Sequence, residues 1–371
     1  MKLLIAYASA GTGHKHSAEA LYAYIKKYHK EIDVQIKDIL SFTTPIFNFV
    51  YSFGYNFVAR NTPKLWGFFY NISGNSTSLF ISNKIRFLIN RTNDNKFVRF
   101  LEKEQFDVIL STHFFPSEIA CILKKQKEIK SLLISIITDF AVHPFWVNKE
   151  IDKYIVALPE AKNDLIREGI PEYKIKILGI PINEAFLLKK DRLAVAKNLG
   201  VDISKFTVLI VVGSIGTGPI EKIIDLLDMD TQALVICGRN VRLFKELKLK
   251  NYKNAIIYDY VNNMDELMSV SDIIITKAGG ITISESIAKN LPAIFIPIIG
   301  GQEFYNAEIL AKYNACFTVK NIRALKEIIS LCKRNKRVIN KLKDRLLKIS
   351  KPNVLKDIFD EICANHASTP A

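Results

Sequence analysis

Lys277-Ala278-Gly279-Gly280-Ile281-Thr282-Ile283-Ser284-Glu285 is the stretch from which the fold can be read. The apolar run 273–276 before it has strand character, two glycines turn the chain, and a helical pattern opens near Thr282. Glycine lets the backbone turn sharply at such a junction, and the first turn of the helix leaves N–H groups facing outward, where an anion can bind. Glu285 lies one turn further on, toward the same opening. A carboxylate there could accept two hydroxyls of a ribose beside a diphosphate. The spacing also fits a capping box, with Thr282 as the cap and Glu285 at its third position, and the residues leave both readings open.

The same junction occurs twice more. Gly213-Ser214-Ile215-Gly216-Thr217-Gly218-Pro219 follows the apolar run 208–212, and Ala8-Ser9-Ala10-Gly11-Thr12-Gly13-His14 follows 2–7. The latter is not a dinucleotide fingerprint, whose third glycine would fall at His16, nor a P-loop, which needs Gly-Lys-Ser/Thr. Short β-rich runs at 2–7, 34–36, 108–111, 132–137 and 154–156 alternate with helical stretches such as 17–30 and 117–127. A second set starts afresh at 208–212, 233–237, 255–258, 273–276, 293–297 and 316–319. This is the pattern of an α/β chain with parallel sheets covered by helices. It predicts two doubly wound, Rossmann-like domains: an N-terminal one over 1–180, a linker over 181–204, a C-terminal one over 205–350, and a terminal helix and tail over 351–371. Ligands of such sheets sit beyond the carboxyl ends of the strands, so two domains facing each other would form a cleft.

Composition narrows the class. The 371 residues suit two cores rather than one, and 49% hydrophobic with 24% charged residues describes a globular chain. No run of eighteen apolar residues could span a bilayer, and the opening strand runs into its glycine turn with no cleavage site of a signal peptide. The five cysteines are scattered and form no metal-type pair, as expected in a reducing cytoplasm. The formal net charge of +15 favours a polyanionic partner, nucleic acid or an anionic bilayer, but no nucleic-acid module is visible.

Taken together, ASAGTGHKHSAEAL over 8–21, ICGRN over 236–240 and IITKAGGITISESIAKNLPAIFIPIIGGQEFYNAEIL over 274–310 resemble the family of monogalactosyldiacylglycerol synthases and processive diacylglycerol glucosyltransferases, a branch of glycosyltransferase family 28. The resemblance runs from residue 3 to about residue 351. It implies a GT-B fold and an inverting transfer of a hexose from a UDP-sugar to the hydroxyl of 1,2-diacylglycerol, giving a β-glycoside. The quoted motifs are shared by glucosyl and galactosyl enzymes, so UDP-glucose and UDP-galactose both stay open as donor. Single and successive transfer stay open as well, and the sequence specifies no oligomeric state. Gly300-Gly301 departs from the family's usual Pro-Gly or Ala-Gly beside the sugar contacts.

By position, the resemblance assigns Glu285 to the ribose, and Thr282, Gly213, Gly279 and Gly280 to the diphosphate. It assigns Gln302, Glu303 and Asn306 to the sugar, and the segment around Val261 to the uracil through backbone groups. Arg239 is a candidate phosphate or base contact. His14, after Gly13, is the expected general base, since an imidazole titrates near neutral pH. Asp139 is the other catalytic candidate, as orienter of His14 or as the base itself. Gly13, His113 and Trp146 are placed on the acceptor path. No Asp-x-Asp pair ends a strand and GT-B enzymes commonly need no bound metal, so neither a metal nor a cofactor is expected.

The stretch 42–70 holds eleven aromatics, Phe49, Phe53, Phe57 and Trp66 among them, interleaved with Arg60 and Lys64. Aromatic–basic segments of this kind dock in the headgroup zone, although alternating rings also suit a buried strand. Residues 324–351 carry ten Lys/Arg against two acids, either a solvated helix face or a surface for anionic lipid. The expected place of action is therefore peripheral, on the cytoplasmic face of the membrane, with UDP-hexose, diacylglycerol and the anionic surface as partners and no nucleic acid. The rival within the same fold is a transferase of N-acetylglucosamine to a polyprenyl-linked cell-wall precursor. The aromatic insert and the His14 motif speak against it.

Overall fold

The structure is a computed structural model and is described for residues 1–9, 11–44, 95–213, 218–296 and 301–367. The chain divides into two compact units. The first takes Met1–Glu184, Ile299–Gln302 and Asn353–Ala371, the second Ala185–Ile298 and Glu303–Pro352.

The first unit runs β1 (Lys2–Tyr7), α1 (Thr12–Tyr28), β2 (Asp33–Asp38), α2 (Asn95–Glu104), β3 (Val108–Ser111), α3 (Phe114–Lys125), β4 (Leu132–Ile136), β5 (Lys153–Val156), α4 (Pro159–Arg167) and β6 (Ile175–Ile177). The strands form one parallel sheet in the order β2-β1-β3-β4-β5-β6. Every residue of β3 and β4 is buried. Both faces of a parallel sheet are covered by its crossover helices, which is why these strands read as continuous apolar runs. Phe42, the first of the eleven aromatics, packs its ring 5.2 Å from both Phe97 and Phe100 at the edge of this core. Phe49, Phe53, Phe57 and Trp66 lie outside the described residues.

Two helices begin earlier than the sequence pattern indicates. α1 opens at Thr12, inside the glycine turn, with Gly11 as its extended N-cap. α3 opens at Phe114 because the His113 ring caps it, Nδ1 accepting from the Phe115 N–H at 3.1 Å. β6 was not anticipated, since three residues are too few to show a period.

The second unit begins one residue into α5 (Glu184–Leu187) and continues with α6 (Arg192–Leu199), so the stretch expected as a linker holds two short helices. Asp191 caps α6 by accepting from Leu193, and Gly200 ends it at φ 66°. Then follow β7 (Phe206–Val211), α7 (Ile220–Ile224), β8 (Thr231–Ile236), α8 (Val241–Leu249), β9 (Ala255–Tyr258), α9 (Met264–Val270), β10 (Ile273–Thr276), α10 (Gly280–Ala288), β11 (Ala293–Phe295), α11 (Gln302–Lys312), β12 (Cys316–Thr318), α12 (Ile322–Arg334) and α13 (Lys336–Ile349). The sheet is parallel in the order β12-β11-β10-β7-β8-β9. The last helix, α14 (Val354–Ala367), belongs to the first unit and packs on α1 and β4, with Phe359 stacked on the His29 ring at 3.7 Å.

Strand order reverses between β1 and β3 in one sheet and between β7 and β10 in the other. Such a reversal opens a crevice at the carboxyl ends of the strands, where doubly wound sheets bind ligands. Among the described residues no helix is long and apolar enough to cross a membrane.

Candidate functional site

In the first unit the residues after β1, β3 and β4 converge on one imidazole. His14 is the third residue of α1 and half-buried. Its Nδ1 lies 2.8 Å from the Thr112 carbonyl oxygen and 2.8 Å from Thr138 Oγ1. A carbonyl only accepts, so Nδ1 carries the ring proton and donates, the Thr138 hydroxyl serving as a second acceptor. In the neutral ring Nε2 is then left with a lone pair. Thr112 Oγ1 donates back to the His14 carbonyl at 2.9 Å, locking the helix start to the end of β3.

Burial lowers the His14 pKa, while the charge of Asp139 and the Thr112 carbonyl pull it upward. The imidazole is therefore held neutral, as a general base must be before it acts. Asp139 is half-buried, three residues beyond the end of β4.

Aromatic rings surround this histidine. His113 meets it edge-on at 4.6 Å, and Trp146 lies at 6.2 Å. Phe114 in turn packs at 4.2 Å from His113 and 6.2 Å from Trp146. Trp146 sits in a short turn (Pro144–Trp146) capped by His143, whose Nδ1 accepts from Phe145 at 3.2 Å. The Tyr154 hydroxyl anchors that turn: it accepts from the Asn148 N–H at 2.8 Å and offers its proton to the Trp146 and Asn148 carbonyls at 3.0 and 2.9 Å. His14, Gly13, His113, Trp146 and Asp139 thus share the carboxyl edge of one sheet. Thr112 and Thr138, which fix the tautomer, were passed over because a threonine after a strand carries no distinctive signal.

In the second unit Gly213 follows β7, Arg239 follows β8, Val261 follows β9 and Gly279 follows β10, all at the carboxyl edge of one sheet. Gly213 has φ 73°, a conformation suited to glycine. α10 begins at Gly280, two residues before the expected start, with Gly279 as an N-cap that makes no side-chain bond. Thr282 is therefore the third helical residue and Glu285 lies in the second turn, which removes the capping-box reading. The N–H groups of Gly280, Ile281 and Thr282 belong to the first turn, which has no intrahelical acceptor for them. Gln302, expected in a loop, opens α11 instead, so Glu303 and Asn306 are helical. Asn306 is fully buried and its Nδ2 donates to the Ala278 carbonyl at 3.1 Å, bracing the glycine turn. The Arg239 guanidinium lies over the Tyr260 ring at 5.6 Å, flanking the segment that holds Val261.

Glu285 is electrostatically unusual. Burial, reinforced by the charge of Asp265, pushes its carboxyl up to about 8. Helix N-terminal donors, glycine turns and a desolvated carboxyl at one sheet edge suit a ligand with a diphosphate and a diol.

Comparison with known proteins finds related chains and related folds. Residues 14–182 match the family model of monogalactosyldiacylglycerol (MGDG) synthase and residues 207–357 that of the glycosyltransferase family 28 C-terminal domain. A processive diacylglycerol beta-glucosyltransferase of Staphylococcus carnosus is 37% identical over 219 residues, 57% of this chain and 56% of the relative, so the match spans little more than half of that protein. One of Staphylococcus epidermidis is 31% identical over 318 residues, 80% of each chain, and one of Bacillus cereus is 28% identical over 100% of this chain and 95% of its own. Among solved structures, Acinetobacter baumannii MurG superposes with a TM-score of 0.65 at 15% identity, covering 98% of this chain and 99% of its own. Anabaena HepE in complex with UDP-glucose gives 0.58 at 13%, covering 98% and 100%. At these identities the likeness concerns the fold, a two-domain GT-B architecture.

Proposed function

The chain belongs to the monogalactosyldiacylglycerol synthase family of glycosyltransferases, and from that premise we propose that it transfers a hexose from a UDP-sugar to the free hydroxyl of 1,2-diacylglycerol with inversion. The observation that carries the proposal is the His14 tautomer. With Nδ1 donating to Thr112 and Thr138, Nε2 is the ring's acceptor, available to take the proton of an attacking hydroxyl. The alcohol oxygen bonds to the anomeric carbon as its proton passes to Nε2, and the bond to UDP breaks on the opposite face. Asp139 steadies the imidazolium that forms. The charge developing on UDP falls to the N–H groups at the start of α10, near Gly213 and Thr282, each such preorganised donor being worth roughly 3 kcal/mol of barrier. Glu285 takes the ribose hydroxyls, the segment at Val261 the uracil with Arg239 beside it, and Gln302, Glu303 and Asn306 the hexose side. His113 and Trp146 line the acceptor path.

The relatives' names favour UDP-glucose as donor and the family model's name favours galactose, so both belong in the test. The enzyme would work as a peripheral protein at the cytoplasmic face of an anionic membrane, using the net charge of +15. Vesicles containing diacylglycerol, incubated with purified protein and either donor, should yield UDP and a β-glycosyl lipid. Turnover with neither donor, by folded protein, rejects the reading. Turnover only with UDP-N-acetylglucosamine and a polyprenyl acceptor replaces it with the cell-wall rival.

A further inference from the structure

The two helices that end the second unit, α12 and α13, pack on each other and each turn one face inward. α12 buries Leu325, Ile329 and Cys332, and α13 buries Ile339, Leu342, Leu346 and Ile349. By helical periodicity the opposite side of α12 carries Arg323, Lys326 and Arg334, and that of α13 carries Arg337, Lys341 and Lys348, all six exposed. One acid interrupts each stripe, Glu327 on α12 and Asp344 on α13. Of the ten Lys/Arg over 324–351, only two side chains have a hydrogen-bonded or ionic partner among the described residues: Lys333 with Asp228 at 2.7 Å, and Arg345 with the Asn314 carbonyl at 2.9 Å.

Folding does not account for this charge. Lys333 and Arg334 stand in the last turn of α12, where the helix dipole favours cations, but Lys336 and Arg337 open α13, where it disfavours them. Four cations within residues 333–337 also repel one another. On α8, by contrast, Arg242 pairs with Glu246 at 2.8 Å and the nearby Lys250 pairs with Glu221. Two large apolar side chains share the basic surface. Leu331 is 44% exposed one turn before Arg334, and Leu347 is 60% exposed beside Lys348. A nucleic acid or a soluble polyanion gives such leucines no apolar phase to enter. An anionic bilayer offers phosphates to the cations and the acyl boundary to the leucines. We infer that the outer face of α12 and α13 docks the second unit on an anionic lipid surface, Arg337, Lys341 and Lys348 meeting headgroup phosphates and Leu347 reaching below them. The choice of a bilayer rests in part on the reading of the acceptor as diacylglycerol.

Flotation of the full chain with vesicles of phosphatidylcholine, alone or mixed with phosphatidylglycerol, tests this without donor or diacylglycerol. Binding should require phosphatidylglycerol and weaken as salt is added. The triple variant Arg337→Gln, Lys341→Gln, Lys348→Gln should lower the partition coefficient about a hundredfold, about fivefold per cation. Lys245→Gln, Lys248→Gln, Lys253→Gln removes the same charge from exposed positions on and after α8 and should cost less than about tenfold. Asp344→Asn should tighten binding about fivefold, a gain that loss of structure does not produce. Leu347→Ser should weaken binding at high salt as well, since an apolar contact is not screened. Thermal denaturation verifies that each variant is folded. Equal losses from the two triple variants, unchanged binding in the α13 triple variant, or no gain from Asp344→Asn would overturn the inference. Binding of single-stranded RNA that the α13 triple variant loses, with no wild-type binding to anionic vesicles, would replace the bilayer by a nucleic acid. Turnover on diacylglycerol in detergent micelles separates the two levels. An α13 triple variant that loses vesicle binding and keeps the wild-type rate in micelles supports docking, and one equally impaired in micelles overturns it. Wild-type protein inactive in micelles rejects the diacylglycerol reading and leaves the vesicle result to decide the docking face.

Discussion

His14 Nδ1 and the Thr112 carbonyl oxygen stand 2.8 Å apart, and because the carbonyl can only accept, this contact decides which ring nitrogen is the base. Replacing His14 by Ala should lower kcat by about 10²–10⁴-fold, the usual contribution of a positioned base, with little change in KM for the UDP-sugar. Thr138→Val removes only the second acceptor of Nδ1 and should cost about tenfold or less. Steady-state kinetics on diacylglycerol vesicles measures both. Equal losses in kcat and in donor affinity for His14→Ala would assign the ring to binding.

The same histidine sets the pH profile. A base works in its neutral form, so activity rises with pH through the base's pKa and is flat above it. Burial lowers the His14 pKa, which puts the acid limb of kcat/KM below about 6.5. Asp139 pulls that pKa upward, so Asp139→Asn should move the limb to still lower pH while reducing the rate at the plateau. If the limb disappears in Asp139→Asn and persists in His14→Gln, the aspartate is the base.

Much of this was legible in the sequence, and the reasons differ by element. The apolar runs at 108–111 and 273–276 coincide with strands because parallel strands covered on both faces show unbroken apolar sequence. His14 and Glu285 each follow a glycine turn, a weak signal on its own, and it was the family resemblance that singled them out. The helix starts at Thr12, Phe114 and Gly280 were placed too late, since capping came from Gly11, His113 and Gly279, residues that do not announce a cap as Ser or Asp does. Asn306 reads as a polar loop residue, and only packing reveals it as a buried brace for Ala278. The pairing of Lys190 with Asp265 joins positions 75 apart through the docking of α6 on α9, which no local pattern encodes.

The Tyr154 hydroxyl sits at the centre of the turn that carries Trp146, with one N–H and two carbonyls around it. Tyr154→Phe leaves those buried groups without their partner, at a cost of about 1–3 kcal/mol. Thermal denaturation should show a fall in Tm of several degrees. In a Trp66→Phe background, where Trp146 is the remaining tryptophan, its emission should also shift. A Tm drop without any emission change would mean that Tyr154 supports the core but not the ring's position.

Gly218 closes the turn after β7 against the strand itself. A Cβ there would stand 2.3 Å from Val212 Cγ1 and 3.2 Å from Val212 Cβ, and Val212 is fully buried, so neither atom has room to retreat. Gly218→Ala must therefore displace the turn, at an overpacking cost of about 1–3 kcal/mol, and with it Gly213 and the N–H groups expected at the diphosphate. UDP-glucose affinity should fall about tenfold or more, with His14-dependent chemistry otherwise intact. Val212→Ala in the same chain removes the clashing methyl groups and should restore part of the affinity, while lowering stability through the cavity it leaves. A double variant that binds no better than Gly218→Ala alone would show that the close approach to Val212 is not what couples this position to donor binding.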